Sequence, residues 1–79
     1  MKQYDLDITA DRCPLTFVKT KLLIERMAPG DVARVRLKGA EPLENVPRSV
    51  REHGHEVLSL ATADDDPAGE VHVLVLRKC

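Results

Sequence analysis

Residues 4–38 read YDLDITADRCPLTFVKTKLLIERMAPGDVARVRLK, and the order of elements within this stretch decides the fold. Tyr4, Leu6 and Ile8 alternate with Asp5 and Asp7, the two-residue period of a half-buried strand. Ala33, Val35 and Leu37 alternate with Arg34, Arg36 and Lys38, which gives a second strand with one charged face. Between them, residues 14–28 predict a helix. Pro14 suits its first turn, and the breaker pair Pro29-Gly30 ends it. A strand, a helix and a strand in that order predict a right-handed crossover between parallel strands.

Working outward, residues 39–45 read as a loop or a single loose turn. Pro47 reads as the start of a short second helix that ends at Gly54, whose missing Cβ suits a C-cap. Residues 57–63 and 71–76 predict two strands, joined as an antiparallel hairpin by DDDPAG at 64–69. The last of these is apolar at nearly every position, as a central strand would be. The expected fold class is α+β, a βαβαββ two-layer sandwich with a mixed four-stranded sheet and two helices on one face. Residues 1–79 are expected to form one domain.

Composition narrows the function classes. Aromatic residues make up 3 % of the chain, so the core is expected to consist of Val, Leu, Ile, Ala and Met. The net charge is −1 with both signs interspersed, which argues against direct nucleic-acid binding, since that needs clustered cations and stacking aromatics. No apolar run is long enough to span a membrane, and the N-terminus has no apolar signal region. Two cysteines are too few for a disulfide framework. A cytoplasmic protein is expected, with no cofactor and no metal.

The first helix carries more apolar surface than one face requires. Phe17, Thr20, Ile24, Met27 and Ala28 share one side, with Leu23 at its edge, and are expected to face the sheet. Leu15, Val18 and Leu22 fall opposite, flanked by Lys19, Glu25 and Arg26. This second stripe either packs against the second helix or stays exposed as a charge-rimmed docking patch. The docking reading assigns Leu15, Val18, Lys19, Leu22 and Arg26 to a partner surface.

Cys13 stands immediately before Pro14. If the helix starts at Pro14, Cys13 is its N-cap, and its sulfur faces unpaired N–H groups and the positive end of the helix dipole. Thr16 is then N3, with a backbone N–H able to donate to the sulfur. A free cysteine has a pKa near ~8.5, and a partly exposed helix terminus lowers such a value by less than about one unit. That raises the reactive fraction while preserving nucleophilicity. Arg12 favours the thiolate and Asp11 opposes it.

The stretch LDITADRCPLTFVKTKL, with MAPGD after it and NVPRSVREHGHEVL later, resembles the TusA/SirA-like family of small sulfur-carrier proteins. In that family a Cys-Pro-x-Pro motif stands at the N-terminus of the first helix. A Pro-Gly break follows, then acidic-Pro and Ile/Val-Pro elements, then Gly-His-Glu before the third strand. The resemblance implies a βαβαββ fold and a persulfide carried on Cys13, with Pro14 as the first motif proline. It also implies a protein sulfur donor, a cysteine desulfurase or a rhodanese-like protein, and a protein acceptor. Two positions depart from the pattern: Thr16 replaces the second proline, and Ala10-Asp11 replaces the usual Gly-Leu.

Other groups read more plainly. Cys79 is expected to hang in a frayed terminus, or else to act as a resolving thiol for Cys13. His53 and His55 straddle Gly54 and suit a local capping role better than a metal site, while His72 is expected on a sheet face. Asp64, Asp65 and Asp66 read as a solvated turn. The leading expectation is a sulfur carrier. The alternatives are a thiol–disulfide switch using Cys13 and Cys79, or a non-catalytic regulatory or protein-interaction module.

Overall fold

The computed structural model describes residues 2–11 and 15–79. Its elements run β1 (Gln3–Asp7), α1 (Leu15–Arg26), β2 (Val32–Lys38), α2 (Ala40–Glu52), β3 (Glu56–Thr62) and β4 (Val71–Arg77). The four strands form one sheet in the order β1-β2-β4-β3. β1 and β2 are parallel, with Leu6 opposite Val35. β4 is antiparallel to both β2 and β3, so the mixed sheet and the terminal hairpin are as expected. The apolar β4 is a central strand, covered by a neighbour on each edge.

One core joins the sheet to both helices. Ile8, Ala33, Val35, Leu37, Leu74 and Leu76 supply the sheet side, Leu23, Ile24 and Met27 come from α1 and the turn after it, and Val46 and Val50 come from α2. Tyr4, Leu6 and Val57 pack at its margin. The opposite sheet face carries the charged partners of the alternation. There Arg36 reaches Asp65 at 3.2 Å and Asp7 at 3.8 Å.

The strand ends shift by one residue at most, and two helix boundaries differ from the sequence-based expectation. α1 ends at Arg26, and Ala28 is exposed rather than core, because the chain is already turning toward Gly30. α2 is the larger correction. It spans Ala40–Glu52, absorbs the expected loop at 39–45, and holds Pro47 in its interior. Pro42 sits in its first turn, where a missing N–H costs nothing. Burial of Pro42, Val46, Pro47 and Val50 along one face then offsets the hydrogen bond that Pro47 cannot make. The stop at Gly54 is as expected. Gly54 has φ +85°, its N–H donates to Arg51, and the His55 N–H donates to Val50, both at 3.0 Å.

Candidate functional site around the start of the first helix

The segment leading into α1 is shaped by local bonds. Asp7 accepts the backbone N–H of Thr9 at 2.9 Å and its hydroxyl at 2.7 Å, so the chain turns directly after β1. These bonds, with the Arg36 cation nearby, hold the Asp7 carboxyl below its ordinary range. The Asp11 N–H donates to the Ile8 carbonyl at 3.1 Å, which closes the turn. The expected reactive residue Cys13, its flanking Arg12 and Pro14, and the predicted N-cap geometry lie outside the described residues.

Beyond them α1 resolves the choice between its two apolar stripes. Thr16, Thr20, Leu23 and Ile24 are its buried residues, and Phe17 is only half-buried. Thr16 is fully enclosed, and its carbonyl accepts the Thr20 hydroxyl at 2.8 Å, so Thr20 enters the core with its hydroxyl satisfied locally. Leu15, Val18 and Leu22 remain 52 %, 41 % and 54 % exposed. The α1 residues that line the cleft toward α2 are Phe17, Thr20, Lys21, Ile24 and Glu25. The Phe17 ring lies 6.0 Å from the His53 ring.

Lys19 and Arg26, the two cations assigned to the same patch, differ. Arg26 is exposed in the last turn of α1, where a cation complements the helix dipole. Lys19 is engaged: its ammonium lies 2.9 Å from both carboxylate oxygens of Asp11. The eight-residue spacing of that pair belongs to no helical pattern, so sequence periodicity did not find it.

The far end of α1 is tied to the C-terminal segment. Asp31 is 6 % exposed and accepts the backbone N–H groups of Lys2 and Ala28, each at 3.0 Å. Its backbone carbonyl accepts the Lys78 N–H at 2.9 Å, and Lys78 reaches the Met27 carbonyl with its ammonium at 2.6 Å. The expected frayed tail is therefore pinned through Lys78, and the Cys79 N–H donates to His55 Nδ1 at 3.2 Å. The Cys79 thiol itself is exposed.

His53 caps α2 as expected, with its Nδ1 2.8 Å from the Ser49 carbonyl. Asp66 is more than solvated turn. It accepts the N–H groups of Ala68, Glu70 and Val71, which set the hairpin and lower its carboxyl pKa. Among the described residues no group of three or more His, Cys, Asp or Glu is placed to hold a metal ion, and no helix is long and apolar enough to cross a membrane.

Residues 4–78 match the family model described as sulfurtransferase TusA. A protein of Archaeoglobus fulgidus named "Putative sulfur carrier protein" is 47 % identical over 73 residues, 92 % of this chain and 80 % of its own length. A protein of the same name from Thermotoga maritima is 34 % identical over 55 residues, 70 % of each chain. The crystal structure of a SirA-like protein from Desulfitobacterium hafniense aligns with a TM-score of 0.76 over 94 % of this chain and 95 % of that one. At 16 % identity, that likeness is one of fold.

Proposed function

The chain belongs to the TusA sulfurtransferase family, and we propose that it relays sulfane sulfur as a persulfide on Cys13, between a donor and an acceptor protein that dock on the exposed stripe of α1. The observation that carries this reading is the exposure of Leu15, Val18 and Leu22 on the helix that begins two residues after Cys13. An apolar stripe left open beside a reactive thiol brings two protein thiols together without a pocket.

The chemistry needs no group beyond the sulfur atoms. The Cys13 thiolate attacks the terminal sulfur of a donor persulfide, R–S–SH. A new S–S bond forms on Cys13, the donor S–S bond breaks, and the donor departs as its thiolate, R–S⁻. In the second step an acceptor thiolate attacks the terminal sulfur on Cys13 and returns Cys13 to the thiolate. Each step moves one sulfane sulfur, with no net oxidation or reduction. Arg12 offsets part of the anionic charge, Pro14 fixes the backbone that follows the sulfur, and Thr16 provides an N–H where the family motif has a second proline.

The position of Cys79 supports a relay over an intramolecular switch. Cys79 follows Lys78, which is bound to Met27 and Gly30 beyond the C-terminal end of α1. Leu15 lies at the other end, about 16 Å away by helical rise, whereas a disulfide needs Cα atoms within about 7 Å.

The test is transfer from a cysteine desulfurase supplied with radiolabelled cysteine. Label is expected on the parent chain and not on a Val18→Asp variant. Both are expected to load from inorganic polysulfide, which needs no docking. Equal labelling of both by the desulfurase contradicts the docking stripe.

A further inference from the structure

The ion pair between Asp11 and Lys19 joins the turn after β1 to the second turn of α1. Lys19 Nζ meets both oxygens of the Asp11 carboxylate at 2.9 Å. The Asp11 side chain is 18 % exposed against 45 % for Lys19, so the carboxylate is the sheltered member and the lysine reaches back to it. Asp11 is also held through its backbone, by the bond from its N–H to Ile8.

Asp11 stands two residues before Cys13. Two trans peptide units keep the Cα atoms of such residues within about 7.6 Å in any conformation. At about 0.01 M salt the Debye length is about 30 Å, well beyond this backbone separation plus the reach of both side chains, so a bare carboxylate there opposes a thiolate. Lys19 directs a cation at this carboxylate. Lys19 therefore differs from Leu15, Val18 and Leu22, although it borders the same exposed surface.

We infer that Lys19 is a positioning residue that holds and neutralises Asp11, so that this acidic side chain does not oppose the Cys13 thiolate. The inference rests on the proposed role of Cys13, but it is read out by thiol alkylation, which needs no sulfur transfer. A chain that fails to load sulfur yet shows the charge response below loses the relay and keeps this pair.

The experiment measures the pH dependence of iodoacetamide reaction in a Cys79→Ser background, where Cys13 is the remaining thiol. At low ionic strength and pH 7, Lys19→Met is expected to react about two-fold more slowly, because Asp11 is left uncompensated. Asp11→Asn is expected to react faster, because Lys19 is then the uncompensated charge. The double variant returns toward the parent rate, and Lys19→Arg retains it. All differences shrink at about 1 M salt, where the Debye length is near 3 Å. A purely structural tether would shift both single variants in the same direction. That result, or a Lys19→Met rate equal to the parent's, overturns the inference, and the Asp11→Asn arm stands independently if Lys19→Met folds poorly.

Discussion

The Nδ1 atom of His55 accepts the backbone N–H of Cys79 at 3.2 Å, so the last strand is fastened to the segment after α2 by a histidine that must be neutral at that nitrogen. Burial lowers the His55 pKa below its ordinary value, and the nearby Lys78 and His53 lower it further. The neutral ring is thus the form the fold prefers. Its contribution to stability is complete above about pH 6.5, the unfolded value, and is lost as pH falls toward and through the lower folded value. The melting temperature of the parent is expected to fall between pH 7.5 and 5.5. In His55→Asn, whose side-chain oxygen can accept the same N–H without titrating, that decline is expected to flatten. An equally steep decline in the variant assigns the pH dependence to another group.

Asp31 is the corresponding anchor at the other end of the chain. Its carboxylate accepts the N–H groups of Lys2 and Ala28, which hold its pKa below the usual carboxylate value. A depressed carboxylate stabilises the fold above the unfolded pKa of about 3.9, and this contribution disappears as pH falls through the folded value. Asp31→Ala is expected to lower the melting temperature at pH 7 and to flatten the acid limb below about pH 4. Hydrogen exchange at Lys2 and Ala28 checks the mechanism, because both amides lose their acceptor. Unchanged protection at both sites contradicts it.

The two sides of α1 should answer differently to substitution. Val18 is exposed, and Val18→Asp is expected to change unfolding free energy by no more than about 0.5 kcal/mol. Leu23 is buried against the sheet, and Leu23→Ala is expected to cost about 2–5 kcal/mol. Urea unfolding of the two variants makes the comparison. A loss of several kcal/mol in Val18→Asp would show that the stripe is covered in the native state.

The parts of this fold that were legible in the sequence are those written as local periodicity. Tyr4-Leu6-Ile8 and Ala33-Val35-Leu37 marked two sheet faces, and Pro29-Gly30 marked the end of the crossover helix. Leu15, Val18 and Leu22 stood out as surplus to one helical face, although only tertiary packing could show that α2 leaves them open. α2 was read too short because Pro47 has the chemistry of a helix start. The four-residue spacing of Pro42, Val46 and Val50 was the signal that outweighed it. The Asp11–Lys19 pair and the Asp31 anchor depend on how distant segments meet, which no single window of sequence contains.

The central claim is that Cys13 carries the sulfur, and the most direct measurement is intact mass after loading with sulfane sulfur from a desulfurase and cysteine. The mass is expected to rise by one sulfur atom, on the peptide containing DRCPLTF. Cys13→Ser is expected to remove the gain and Cys79→Ser to leave it, since the sequence sets Cys13 beside a helix start while Cys79 is exposed at the far end of that helix. Added sulfur on Cys79, or loading that yields only a Cys13–Cys79 disulfide, would contradict the carrier account.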